Sequence, residues 1–364
     1  MKHIVNNLRQ QIVLLVCCLS FVASAQYKDL SPNAEFSVLT CGSGDDLYAL
    51  FGHTALRVKD PDQRIDVVFN YGMFDFDTPN FYGKFVKGDL QYHLAIDNFY
   101  EFVSYYSSKN RTVTEQKINL SLQERNDIWN TVWSQMYSDE KYYHYKFIEN
   151  NCTTKVVDLL NTYTKYKVET NFESNNKSYR EILNSYLKAQ YFPQLGINLV
   201  FGKKVDKDNE LLFIPEQFLE GISLTKGLEI SRKVVYQSNV DRTQAFQMGK
   251  WIFFAILLGV AFLSNNKICR TIYFVITSLL GILIFGLQMY SEHMELLNNP
   301  MALFYNPLYL LTLVQFKRRK VIFSILSLLS LISLLFLSFE SIIILLPLII
   351  LHLLFIYKER RDLN

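Results

Sequence analysis

From about residue 250 onward the chain almost stops carrying charge. Leu, Ile and Phe dominate, in five apolar segments at roughly 249–264, 271–289, 301–316, 321–338 and 341–357. Several are shorter than the ~20 residues that cross a bilayer upright. Buried helices of a soluble core are nevertheless excluded, because 321–357 is apolar almost without interruption. The segments predict an all-α, five-helix transmembrane domain over 248–364, attached to a soluble domain over 26–247.

The gaps between the segments orient the chain. Lys267 and Arg270 lie in the first gap, Lys317-Arg318-Arg319-Lys320 in the third, and Lys358, Arg360 and Arg361 follow the last segment, while the second and fourth gaps carry no Lys or Arg. Basic gaps face the cytoplasm. The soluble domain is then expected outside the inner membrane, in the periplasm, with the C-terminus inside. The N-terminus agrees independently. Lys2 and Arg9 precede a short apolar run at 12–22, and Ala23-Ser24-Ala25 forms a small-residue cleavage site, which predicts a signal peptide over 1–25.

Cys17 and Cys18 fall inside that run and are read as apolar signal residues. Cys41, Cys152 and Cys269 are left. Three widely spaced cysteines do not make a disulfide framework, although a Cys41–Cys152 bridge would account for both as structural residues. With a net charge of +3, nothing points to a nucleic-acid partner, and no ligand cluster points to a metal or other cofactor.

Within the soluble half, Phe36–Thr40, 51–59, Ile65–Tyr71, Leu90–Ile96 and Arg111–Leu120 read as strands. Ser121-Leu122-Gln123-Glu124 and Ser178-Tyr179-Arg180-Glu181 are capping boxes that open helices. A third apolar helical face begins directly after Cys152. Residues 200–247 give no clear order, apart from Phe213-Ile214-Pro215 as the end of a short strand. Sheet first and helices after predicts an α+β domain.

Cys152 therefore stands at a helix N-terminus, where the dipole favours thiolate. Such a nucleophile needs an imidazole beside it. His144 is too near Cys152 in sequence to approach from an opposing sheet, and His93 sits on the polar face of a strand. His53, on a strand with Gly52 before it and Thr54-Ala55 after it, is the better partner. Asn70 on the following strand can orient the imidazole, with Asp66 as its competitor. The order His53, Asn70, Cys152 is a circular permutation of the Cys–His–Asn order of papain-like thiol enzymes. Tyr71, Asn151 and His293 are candidate substrate contacts. His293 lies between Glu292 and Glu295 in the external gap that ends at Asn298-Asn299-Pro300.

Four motifs together resemble the Lnb-type lipoprotein N-acyltransferases. They are Leu39-Thr40-Cys41-Gly42-Ser43-Gly44, Phe51-Gly52-His53-Thr54-Ala55-Leu56-Arg57, Asn70-Tyr71-Gly72-Met73-Phe74-Asp75-Phe76 and Asn150-Asn151-Cys152-Thr153-Thr154. The resemblance covers the soluble domain and extends into the spans. It departs at Gly42-Ser43-Gly44, where many relatives have Pro before the second Gly. It implies a papain-like periplasmic domain with His53 and Cys152 as its catalytic pair. A phospholipid would be the acyl donor and the N-terminal amine of a diacylated lipoprotein the acceptor. The residues alone leave two other readings open, a membrane-bound thiol hydrolase (a lipid deacylase or cell-wall peptidase) and a binding module with Cys41 and Cys152 bridged.

Overall fold

The computed structural model describes residues 28–240, 248–315 and 317–363. The expected signal peptide lies outside them.

Among the described residues the soluble half is built on one antiparallel sheet of seven strands. They are β1 Glu35–Cys41, β2 His53–Asp60, β3 Ile65–Met73, β4 Gln91–Asn98, β5 Val113–Ile118, β6 Tyr142–His144 and β7 Glu229–Tyr236, in the order β6-β4-β3-β2-β1-β5-β7. Side chains alternate across a strand, so each face gathers its own core. One face buries Phe36, Val38, Leu56, Val58, Phe69 and Leu94. Helices α3 Leu122–Met136, α4 Cys152–Tyr163 and α7 Pro215–Leu224 cover it with Ile128, Trp129, Val132, Val156, Leu160, Phe218 and Ile222. The other face buries Leu39, Cys41, Ala55, Val68 and Val113 under Phe99, Phe102 and Tyr106 of α2 Phe99–Ser108. The sheet is thus a central layer with helices on both sides.

Both expected capping boxes are present. Ser121 and Glu124 exchange side-chain and backbone hydrogen bonds at the start of α3, and Ser178 and Glu181 do so at α5 Tyr179–Tyr186. The region before 120 is mainly antiparallel sheet, with α1 Phe81–Lys87 and α2 between its strands. One expectation needs correction: Phe213-Ile214-Pro215 does not end a strand but opens α7. Pro215 is its first helical residue, where a missing N–H costs nothing.

After β7 come α8 Met248–Phe262, α9 Lys267–Tyr290, α10 Met301–Phe304, α11 Arg319–Ser333 and α12 Phe339–Leu363; α6 Tyr191–Val200 precedes them in the soluble half. Among the described residues four helical stretches are long and apolar enough to cross a membrane: Met248–Asn265, Lys267–Tyr290, Arg319–Phe336 and Phe339–Leu363. The two shortest, at 18 residues each, are about 27 Å long at 1.5 Å per residue. The fifth expected helix is not a regular one. Within 301–316 the four-residue α10 is followed by a 3-10 stretch, Pro307–Leu313. Pro307 has no N–H to continue the α-helix and clashes with the preceding turn. The freed backbone groups are met locally, with Ser330 Oγ donating to the Phe304 carbonyl at 2.8 Å and Arg319 Nε to the Thr312 carbonyl at 2.5 Å. The Tyr305 carbonyl lies against Gly281 of α9, where a Cβ would come within 1.7 Å of it.

Contacts fix which end of the bundle meets the soluble domain. Ser341 at the start of α12 donates to Asn198, and Asn299 donates to the Leu199 and Val200 carbonyls. Arg270, Arg319 and Glu359 form a buried ion cluster at the opposite end. The broken 299–319 stretch therefore runs from one end of the bundle to the other, and α12 ends away from the soluble domain.

Candidate active site

Cys152 opens α4 because Asn151 caps it. The Asn151 side-chain oxygen accepts from the Thr153 and Thr154 amides at 2.8 and 3.0 Å, and the Thr154 hydroxyl accepts from the Asn151 amide at 2.9 Å. The Asn151 side-chain NH2 donates to the Phe147 and Phe213 carbonyls. All its polar atoms are used, so Asn151 shapes the turn, which corrects its expected place among the substrate contacts. The Cys152 N–H, first in the helix, stands outside this pairing.

His53 begins β2, directly opposite Cys41 of β1 in the ladder. Its Nε2 lies 2.5 Å from the Asn70 side-chain oxygen, and Asn70 Nδ2 donates to Asp97 at 2.9 Å. These two contacts determine the proton positions. A carboxylate only accepts, so the Asn70 NH2 must face Asp97 and its oxygen must face His53. His53 then donates from Nε2, and in the neutral ring Nδ1 carries the lone pair. Tyr106 stacks on the imidazole with ring centroids 6.1 Å apart and planes 12° from parallel.

The half-buried Cys152 thiol is within hydrogen-bonding reach of His53. Burial pushes its pKa up, but the His53 charge and hydrogen bond, the Thr54 amide and the Thr153 hydroxyl outweigh burial and hold it below its ordinary value of 9.0. Thr153 is itself held by Thr54 across the helix–sheet interface, oxygen to oxygen at 3.0 Å. Gly72 leaves the space between the two groups open. Its φ of +90° suits glycine, and a Cβ there would meet the Cys152 Cβ at 3.4 Å and the imidazole Cε1 at 3.9 Å.

The other candidates fall elsewhere. Asp66 does not compete with Asn70. It lies four residues, about 13 Å, along β3, paired with both Arg57 Nε and Nη2 at 2.8 and 2.7 Å. Tyr71 points to the opposite face, buried beneath α3, where its hydroxyl donates to Gln135 at 2.5 Å; it lines the core, not the site. His293 sits in the loop after α9, with Nε2 2.9 Å from the Phe85 carbonyl and Nδ1 3.8 Å from Glu295. Cys41 and Cys152 are both free thiols, which removes the bridged reading of either. Cys41 is fully buried, and burial drives its pKa far upward, leaving it protonated.

Sequence reasoning passed over Asp97, Tyr106 and Thr54. It had no signal for the first two, which reach the site from β4 and α2, but Gly72 directly after Asn70-Tyr71 was a readable one. The external loop also touches the site from behind. The Ile148 amide donates to Glu295 at 3.1 Å, three residues before the Asn151 cap. A cleft of about 1180 Å³ between Thr40, Gly42, Tyr186 and Glu216 is lined by none of Cys152, His53 or Asn70. Among the described residues no group of His, Cys, Asp and Glu is arranged to hold a metal ion.

Fold and site together define a class: a thiol–imidazole–amide row on an antiparallel α/β domain that is fastened to a bundle of apolar helices. Residues 23–185 match the model of the Lnb N-terminal periplasmic domain, which supports the Lnb-type resemblance of the soluble half. The match contains His53, Asn70 and Cys152 and ends before the apolar helices. It points to lipoprotein processing by an inner-membrane protein with a periplasmic domain. No curated protein and no solved structure matches the chain.

Proposed function

We propose that this protein is a lipoprotein N-acyltransferase with a permuted papain-like site, in which Cys152 is the nucleophile, His53 the base and Asn70 the orienting group. The observation that carries this reading is the Cys152 thiol at a helix start, within hydrogen-bonding reach of an imidazole whose tautomer Asn70 and Asp97 dictate. The attachment of this site to membrane helices is the reason to choose a lipid ester as donor.

In the first half-reaction His53 Nδ1 takes the Cys152 proton, and the thiolate attacks the ester carbonyl of a membrane phospholipid. The tetrahedral oxyanion accepts from the Cys152 N–H at the helix start. The C–O bond breaks, imidazolium returns its proton to the departing alkoxide, and a lysophospholipid leaves a thioester on Cys152. In the second half-reaction the α-amine of the lipoprotein's diacylglyceryl-cysteine attacks the thioester. His53 removes a proton from the amine, the C–S bond breaks, and an amide and the free thiol remain. The domain faces the periplasm and the C-terminus the cytoplasm, as the basic gaps require.

Mass spectrometry of lipoprotein N-termini tests the reading in cells lacking other N-acyltransferases. Triacylated termini should appear with the wild-type protein and vanish with Cys152→Ala. Triacylated termini that persist in the variant would exclude Cys152 as acyl carrier. Diacylated termini with fatty-acid release in the wild type would instead identify a hydrolase.

A further inference from the structure

The last turn of every helix leaves carbonyls without internal partners. In α1 those carbonyls are met from the membrane side. The Phe85 carbonyl lies 2.9 Å from His293 Nε2, Val86 accepts from Ser291 Oγ at 2.6 Å, and Lys87 accepts from the Glu292 amide at 2.8 Å. Ser291 directly follows α9, whose final residues Met289 and Tyr290 are exposed. The seven-residue α1 thus rests where an apolar helix leaves the bilayer. Its own side chains suit that level: Tyr82, Phe85 and Val86 are exposed, and Lys84 and Lys87 stand among them.

An aromatic row leads from α1 towards the thiol. Phe81 packs on Phe76 and Phe74 with centroids 4.9 and 5.7 Å apart, and Tyr48 meets Phe74 at 5.8 Å and Phe76 at 6.4 Å. Tyr48 and Phe76 are more than half exposed, at 53% and 59%. Along the chain Tyr48 lies five residues before His53 and Phe74 two after Gly72, and Phe74 packs on Tyr92 with centroids 5.1 Å apart. Phe74 and Phe81 are half-buried against the core and join the exposed Tyr48 and Phe76 to α1, whose exposed Tyr82 and Phe85 lie beside the end of α9; exposed aromatics gathered in this way mark an interaction surface.

We propose that this row is the path by which one acyl chain of the donor phospholipid leaves the outer leaflet and reaches Cys152. The chain lies along Phe85, Phe81, Phe76 and Tyr48, and Lys84 and Lys87 sit at the level of the lipid phosphate. The inference rests on the acyltransfer reading for its purpose, but binding to the row can be measured without it.

The experiment uses the full chain carrying Cys152→Ser in phosphatidylethanolamine vesicles. In one arm a trace phosphatidylethanolamine carries a diazirine at the end of one acyl tail, and in the other a diacylated lipopeptide carries it. After illumination, cross-links from the phospholipid tail are expected within 74–86 and at Tyr48. Phospholipid cross-links confined to 248–363, or labelling of the row by the lipopeptide alone, would overturn the proposal. The wild-type chain and the Phe76→Ser/Phe85→Ser variant are then compared for thioester formation. The variant should raise the KM for phospholipid about tenfold, on the scale of lost apolar contacts, and leave acylation by a water-soluble short-chain ester unchanged. Equal loss with both donors would overturn the path. Cross-links on the row in a protein that forms no thioester would leave the path standing and defeat the acyltransfer reading alone.

Discussion

Asn70 makes two hydrogen bonds that cannot be exchanged, because Asp97 can only accept and His53 must then donate. One amide thereby fixes which imidazole nitrogen is left to accept a proton. The consequence is measurable as alkylation of Cys152 by iodoacetamide against pH. A thiol with a lowered pKa stays reactive as pH falls below 9.0, and reactivity is lost only as pH passes through the lower folded value. His53→Ala should move that midpoint up towards the ordinary thiol range, and Asn70→Ala should move it part of the way. An unchanged midpoint in His53→Ala would mean that the imidazole does not hold the thiolate. Cys41 should stay silent throughout, since it is buried and protonated. Cys152 and His53 were legible in the sequence because a helix start and a strand end are local patterns. Tyr71 and Asn151 were misassigned for the same reason. Neighbours in sequence point to opposite faces of a strand, and a cap residue looks like a site residue until its partners at Phe147 and Phe213 are known.

At the scale of elements, α4 depends on its cap more than a surface helix would. Asn151→Ala removes the acceptor for two amides and leaves the Phe147 and Phe213 carbonyls without their donor. The cap alone is worth about 1 kcal/mol and an orphaned buried carbonyl about as much again. Denaturant unfolding followed by Trp fluorescence should show a loss of about 2 kcal/mol, and a loss within error of zero would mean the turn is held otherwise. The strands β1 to β5 and the helices α3 to α5 could be read from alternation and capping boxes. The helices α1 and α2 could not. Both are short and rich in Phe and Tyr, residues that fit strand and helix alike, and only tertiary contacts settle them: the α9 loop for α1 and the buried face of Phe99, Phe102 and Tyr106 for α2.

For the whole molecule, the division into a charged half and an apolar half was plain in the sequence, but of the five expected spans only four are long apolar helices among the described residues. What hydropathy could not show is that 301–316 is broken at Asn306-Pro307, since composition records apolarity but not hydrogen bonding. The broken stretch is possible because Gly281 lets the Tyr305 carbonyl approach and because Ser330 and Arg319 meet freed carbonyls. Gly281→Ala would set a methyl group within 1.7 Å of that carbonyl, so α9 and the broken stretch must separate. The expected result is a lower melting temperature of the detergent-solubilised protein, whereas Gly286→Ala, with open space around it, should be neutral. Equal effects would show that the close approach at Gly281 is not needed. The same bundle reaches the site through the 291–299 loop, which grips α1 at one side and the Ile148 amide at the other. A soluble domain only tethered to a membrane would not need these contacts. They hold the thiol's domain against the bundle, as the proposed transfer from a lipid would require.

The central claim is that Cys152 carries an acyl group taken from a phospholipid. It is tested most directly by the intact mass of the full-length protein after incubation with phosphatidylethanolamine and no amine acceptor. The account predicts a mass increase of one acyl group on Cys152, removed by hydroxylamine, absent in Cys152→Ser and discharged when a diacylated lipopeptide is added. Acylation of the peptide with no thioester ever present on Cys152, or equal acylation by the Cys152→Ser protein, would contradict it.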